Sequence, residues 1–408
     1  MSPSFRTKGK VIEMDQVNEM LAAIGQAGKN PDGSYTRTCF SATYFQAVEI
    51  VRKKMEELGM QVSQDMAGNI HGFLPGSDPK AKSIIMGSHL DTVPSGGLYD
   101  GAYGVAGALE VVRRLKESGV QLRHPIEIYG FNAEESNPVG GTFGSRAITG
   151  LVDPHQPGLD EALQNYGRTV QEIMDCQRDF HDAKCYLELH IEQGDHLDDA
   201  GVQIGVVRGI VGIVRYKITA LGHSNHAGTT QMKNRRDAMV AMARLIAQAD
   251  QRCREIDDTL VLTVGTIQCW PDSENVIPGK VECSFEMRHM DAEKTDAMIQ
   301  AIEEISKTID TVTFQIEKQI DKGSVRCDKH LMQVIDEAAQ EVGASRMVLP
   351  SGAGHDANPM AHRLPMGMIF VPSKDGMSHC GEEWTAPEDL TRGTDVLYRT
   401  VQKLDQED

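Results

Sequence analysis

A histidine and two aspartates lie within a dozen residues of one another in Met86-Gly-Ser-His89-Leu-Asp91-Thr-Val-Pro94 and Tyr99-Asp100-Gly-Ala-Tyr-Gly-Val105. Imidazole and carboxylate donors crowded around Gly-rich turns suit divalent cations, and we read the stretch as half of a dinuclear metal site. Residues 82–90 are short and apolar, with Asp-Pro-Lys just before them and Pro94-Ser-Gly-Gly97 after, the pattern of a buried strand that ends in a loop. Side chains repeat every two residues along a strand, so His89 and Asp91 share a face. That spacing fits a ligand and a carboxylate that fixes its other ring nitrogen. His-x-Asp alone is more often the pattern of a structural histidine, so the reading needs partners.

Three later stretches supply candidates. Ile128-Tyr-Gly-Phe-Asn-Ala-Glu134-Glu135 ends a strand in two adjacent carboxylates, followed by Pro138 and Gly140-Gly141. On a regular strand the pair would face opposite ways, but at a strand-to-loop turn one can reach a metal and the other a water beside it. Exposed Glu-Glu pairs are also common on surfaces. Cys185-Tyr-Leu-Glu-Leu-His190-Ile-Glu-Gln-Gly194 alternates Leu187, Leu189 and Ile191 against Glu188, His190 and Glu192, so His190 shares its face with acids. Last, the apolar run 366–371 leads into Pro372-Ser-Lys-Asp-Gly-Met-Ser-His379, again a histidine in a loop after a strand.

The elements that must position these groups alternate between strand and helix. Helical spacing marks residues 15–26 and 42–58, the second with Ser41 as N-cap and Gly59 as stop. Residues 61–63 and 70–73 read as a hairpin through Ala67-Gly-Asn69. The strand carrying His89, a helix over 105–115 and a strand over 126–131 follow. This order implies an α/β fold: a parallel or mixed sheet flanked by helices, with functional groups at strand ends. Residues 210–320 then run strand (214–220), helix (238–256), strand (260–267), strand (280–287), helix (292–309), strand (313–320). That β-α-β-β-α-β order is a ferredoxin-like α+β unit, inserted into the first domain. The expected boundaries are a catalytic domain over 1–209 and 325–408 and an inserted lid or dimerisation domain over 210–324.

Composition bounds the function. A chain of 408 residues can hold two domains with proper cores. At 40% hydrophobic and 25% charged, with no apolar run long enough to span a bilayer, it reads as a soluble protein without a membrane role. The N-terminal residues lack the apolar core of an export signal, and eight cysteines stand singly without a Cys-x-x-Cys pair. Both features lead us to expect a cytoplasmic protein with reduced thiols. A net charge of −18 disfavours nucleic acid as a partner.

These motifs, together with His226-Ala-Gly-Thr-Thr230, Asn275-Val-Ile-Pro278, Ser351-Gly-Ala-Gly-His-Asp356 and Ser378-His379 with Glu383, stand in a familiar order. The chain resembles the hydantoinase/carbamoylase family of metal-dependent amidohydrolases from about Tyr35-Thr-Arg37 to near its C-terminus. That family includes N-carbamoyl-L-amino acid hydrolases, β-ureidopropionase and allantoate amidohydrolase. The resemblance implies a metallopeptidase-like catalytic domain and two divalent metal ions per subunit, zinc foremost, with manganese, cobalt or nickel as alternatives. One ion would take His89, Asp100 and His190, and the other Asp100, Glu135 and His379, with Asp100 bridging. Glu134 would be the general base, Asp91 would orient His89, and Glu383 would do something similar near His379. Arg288 would grip the substrate carboxylate, although its alternation opposite Val281, Cys283, Phe285 and Met287 is by itself that of a solvated sheet residue. Gln193, His226, Asn275, Gly354 and His355 would complete substrate binding, with His226 reaching across a homodimer.

The sequence departs from the family in three places. Ser136-Asn-Pro-Val-Gly-Gly-Thr142 replaces a usual Arg-Phe element, Gln231 stands where proline is common, and Cys380 stands where Asn or Ser is frequent. No ligand is lost. The implied reaction is hydrolysis of the carbamoyl C–N bond of a ureido acid, releasing ammonia, carbon dioxide and an amino acid. Tyr99-Asp-Gly-Ala-Tyr103 resembles β-ureidopropionase and Ser224-Asn-His-Ala-Gly-Thr-Thr230 resembles allantoate amidohydrolase. An aminoacylase or dipeptidase acting on an N-acyl amino acid, and a non-catalytic metal or small-molecule binding protein, are the other readings to separate.

Overall fold

The computed structural model describes residues 6–7, 10–11 and 16–407. Ser83–His89 is buried along its whole length, as the run Ile84-Ile85-Met86 requires of a strand covered on both faces. It pairs in parallel with Ile126–Phe131 on one side and Ala183–Ile191 on the other. Met366–Val371 extends the parallel set beside Ala183–Ile191. Antiparallel strands flank this centre: Ile70–Leu74 and then Gln61–Gln64 on one side, Ile204–Ile210 on the other. The sheet is therefore mixed, with four adjacent parallel strands at its middle whose carboxyl ends open on the same edge.

Helices cover both faces. Gln16–Ile24, Ala42–Glu57, Ala102–Glu117, Lys329–Glu341 and Pro387–Asp405 bury their apolar stripes in one core with the strands. Phe143–Thr149, Leu159–Asn165 and Val170–Met174 share a smaller cluster with Cys39, Ala67 and Ala133. Ser41 caps its helix as expected, accepting from Tyr44 N. The first helix begins at Gln16, and the expected start at Asp15 lies outside the described residues. The helix expected over 105–115 starts earlier, at Ala102, because Gly101 takes a positive φ of 64° and turns the chain directly from Asp100 into the first helical turn.

The chain divides into two compact units, one formed by the residues up to Gly209 and again from Arg326, the other by Ile210–Val325. In the second unit four antiparallel strands run side by side in the order Val261–Trp270, Lys280–His289, Gly212–Leu221, Thr313–Lys322. Helices Ala238–Ile256 and Ala292–Thr308 close a core over Ile218, Val281, Cys283, Phe285 and Met287. This is the ferredoxin-like arrangement. Lys280–His289 alternates strictly between buried and half-buried residues, with Arg288 on the polar face.

Candidate metal centre

The ends of the four parallel strands supply the candidate ligands. His89 is the last residue of Ser83–His89, His190 the penultimate residue of Ala183–Ile191, Glu135 follows Phe131 by four residues, and His379 lies in the loop after Met366–Val371. Asp100 sits in the turn after His89. A Cβ on Gly101 would come within 2.4–2.5 Å of the His89 ring, so only glycine lets this turn bring Asp100 against the histidine.

Asp100 is the hub. Its Oδ1 lies 3.4 Å from His89 Nε2 and 3.3 Å from His190 Nε2, and its Oδ2 lies 3.2 Å from His379 Nε2. His379 Nε2 is also 3.6 Å from Glu135 Oε2. His89, Asp100 and His190 form one group able to hold a cation, and Asp100, Glu135 and His379 form another. His89 Nδ1 lies 2.9 Å from the carbonyl of Asp91, and His190 Nδ1 lies 2.9 Å from the carbonyl of Ile191. A carbonyl can only accept, so both Nδ1 atoms carry the proton and both Nε2 atoms present a lone pair toward Asp100. Asp100 Oδ1 and Glu135 Oε1 are buried without a hydrogen-bond partner. Buried carboxylate oxygens without donors, facing imidazole lone pairs, fit divalent cations and little else.

The surrounding electrostatics match this crowding. Burial raises the Asp100 carboxyl, but the surrounding His190, His379 and His89 outweigh it and hold the group well below its ordinary range. Burial, reinforced by Asp100, pushes Glu135 up to about 7. Glu134 is driven well above its ordinary range, chiefly by burial. Its Oε2 is 3.9 Å from His89 Nε2, and with His89 and Glu135 it forms a further group able to hold a cation.

Asp91 meets His89 through its backbone rather than its side chain. Its carboxylate is 3.8 Å from His89 Nδ1, and its backbone carbonyl is what orients the ring. The carboxylate instead accepts from Glu134 N at 3.1 Å through Oδ1 and from Glu135 N at 3.2 Å through Oδ2. It thereby pins the turn that aims both glutamates. Glu383 plays a parallel part: Oε1 accepts from Tyr99 N and Asp100 N, and Oε2 accepts from Ser378 Oγ, tying the Asp100 turn to the His379 loop. Its side chain packs where a Cβ on Gly97 would stand, 2.0 Å from Oε1.

The other expected residues fall in two places. In the first unit, Gln193 donates through Nε2 to Asp100 Oδ2 and Ser378 Oγ. His355 is buried, makes an edge contact with His190 at 4.6 Å between centroids and pairs with Ser351 Oγ at 2.7 Å, while Gly354 beside it is exposed. In the second unit, an isolated bridge between His226 and Val276 brings His226 beside Asn275. His226 Nδ1 accepts from Gly228 N and Thr229 N, which turns Nε2 outward. Arg288 pairs with Glu286 through Nε and Nη2.

Several buried polar groups around the site have partners that no sequence pattern indicates. Glu188 accepts from Ser88 Oγ, Tyr186 OH and Ala357 N, so the acidic face of its strand is buried and satisfied rather than solvated. Arg37 is fully buried; its N donates to Thr92 Oγ1 and its Nε to the Leu90 carbonyl, bracketing Asp91. Burial lowers its guanidinium to about 10, with Asp91 pulling the other way.

The sequence profile of peptidase family M20/M25/M40 matches residues 85–403, a span that contains every candidate ligand. The chain belongs to that family. Along nearly the whole length of both chains, this M20-family protein is 38% identical to an N-carbamoyl-L-amino acid amidohydrolase of Geobacillus stearothermophilus, covering 97% of this chain and 100% of the relative. It is 34% identical to an allantoate amidohydrolase of Escherichia coli, covering 95% and 97%. Among solved structures, it is similar to an amidase of the hydantoinase/carbamoylase family from Burkholderia multivorans, with a TM-score of 0.86 and 31% identity over 95% of this chain and 96% of that one. The mixed sheet flanked by helices is thus the fold of M20 amidohydrolases, which are metal-dependent.

Proposed function

We propose that this M20-family protein hydrolyses the carbamoyl C–N bond of an N-carbamoyl-L-amino acid. The observation that carries the reading is full-length likeness to an enzyme named for that reaction in a chain that keeps both ligand groups with Glu134 beside them. The two groups share Asp100, which suits two cations bridged by it, zinc foremost and manganese, cobalt or nickel as alternatives. When bound, such cations supply Lewis acidity, drawing electron density from the carbamoyl carbonyl and acidifying water.

The chain's own residues do the rest. Glu134 takes a proton from water as it adds to the carbamoyl carbon and returns it to the departing nitrogen, so that ammonia leaves. The carbamate that remains loses carbon dioxide and frees the amino acid. Arg288, with its forked donors, grips the substrate carboxylate, and Gln193, His226, Asn275, Gly354 and His355 contact the rest of the ureido acid. The protein works as a homodimer: the strand Val261–Trp270 lies at the edge of its sheet and exposes Val261, Ile267 and Trp270, and such an edge can pair with a second copy. All eight cysteines are free, which suits a reducing compartment, and we assign the enzyme to the cytoplasm.

Allantoate, also a ureido acid, is the second candidate substrate, favoured by 34% identity to the Escherichia coli enzyme. The deciding experiment is ammonia release by protein reconstituted separately with zinc, manganese and cobalt. The panel holds N-carbamoyl-L-amino acids, β-ureidopropionate, allantoate, N-acyl amino acids and dipeptides. Ammonia from an N-carbamoyl amino acid is the expected result; cleavage of only an acyl amino acid or dipeptide would overturn the reading.

A further inference from the structure

The loop 136–142 has its own internal frame, and that frame is built around Glu134. Ala133 takes a positive φ of 60°, a conformation that costs an alanine energy and must be held by its surroundings. Phe143 N donates to the Ala133 carbonyl at 2.9 Å and Thr142 N to the Glu134 carbonyl at 2.7 Å. One side chain joins the two carbonyls that flank Glu134: Asn137 Nδ2 donates to Ala133 O at 3.0 Å and to Glu135 O at 2.6 Å. Asn137 Oδ1 accepts from Val139 N at 2.9 Å, forming an Asx turn. Arg146 holds the far side of the loop through the carbonyls of Val139, Gly140 and Gly141.

We propose that Asn137 is a positioning residue whose side-chain amide, by bridging the carbonyls on either side of Glu134, sets the direction of that carboxylate. The role rests on the reading of Glu134 as general base. The amide and the Asx turn can be separated, because Asn137→Asp keeps the oxygen that accepts from Val139 N and replaces the donor with an oxygen facing two carbonyls. Asn137→Ala removes both functions without adding repulsion.

The test uses metal-loaded full-length protein with amide hydrogen exchange at Glu134 and Glu135, metal content, and steady-state kinetics on the best substrate. Both variants are expected to exchange these two amides at least about tenfold faster and to lose about 10- to 100-fold in kcat, with KM within about threefold and metal content unchanged. Asn137→Asp should be the more severe. Wild-type exchange and kcat in Asn137→Asp would overturn the proposal, leaving the Asx turn as the only function; if that variant does not fold, wild-type values in Asn137→Ala overturn it equally. Faster exchange in the variants, with a wild type that releases no ammonia, would uphold the positioning role and refute the hydrolase reading instead.

Discussion

Replacing Asp91 by alanine removes the side chain that accepts from the amides of Glu134 and Glu135. Asp91 is 1% exposed, so water cannot take over those bonds without opening the structure. Each stranded buried donor costs about 1–3 kcal/mol, giving about 2–6 kcal/mol for the pair. The loss also removes a counter-charge of the fully buried Arg37, which pushes the total toward the upper end. A unit of about 290 residues unfolds with an entropy near 0.6 kcal/mol per kelvin, so about 4–6 kcal/mol lowers the melting temperature by roughly 6–10 °C. Asp91→Asn keeps one accepting oxygen but turns an NH2 toward the other backbone amide, so it should lose about half as much stability. Calorimetry on both variants, paired with metal content, checks the argument. A melting temperature for Asp91→Ala within 2 °C of wild type, by the same size scaling, would refute the claim that this carboxylate pins the turn.

Glu134→Gln should lower turnover by at least about 100-fold while metal content stays at the wild-type level; a variant that loses metal in parallel would make Glu134 a ligand instead of a base. Burial raises Glu127, but His71, Arg178 and Ser83 outweigh it and hold its carboxyl down at about 2 against an ordinary 4.5. Because the folded value is the lower one, the stabilisation is full above pH 4.5 and disappears as pH falls toward about 2. Its size is roughly 3 kcal/mol. Arg178→Met should therefore be less stable than wild type at neutral pH by an amount that shrinks below pH 4.5, read from denaturant titrations across that range; a gap that does not change with pH would contradict the assignment. Ile267→Lys, placing a charge on the exposed edge strand, should turn the proposed dimer into a monomer in sedimentation, and an unchanged dimer would move the interface elsewhere.

The candidate ligands were legible because their residue types and turns are local, whereas their division between two ions came from the family resemblance. His89, Asp100, Glu135, His190 and His379 each stand at the end of an apolar strand or in a Gly-rich turn, and the same residues that make a strand end also mark its ligand. The βαββαβ order of the second unit was equally open to reading, since its periodicities switch cleanly between 2 and 3.6. What the strand pattern could not convey was which atoms meet. Asp91 and His89 share a strand face by spacing, yet the backbone carbonyl orients the ring while the carboxylate reaches across to a turn more than 40 residues later. Glu188 reads as one acid on an alternating strand, but three donors from distant segments bury and satisfy it. Arg37 and Asn137 have no periodic neighbours at all. Residue type and period are properties of a segment, so the sequence by itself determined which groups could bind cations and which elements carry them. Hydrogen-bond partnership in a buried site depends on register between segments far apart in the chain, and only the tertiary structure decided it.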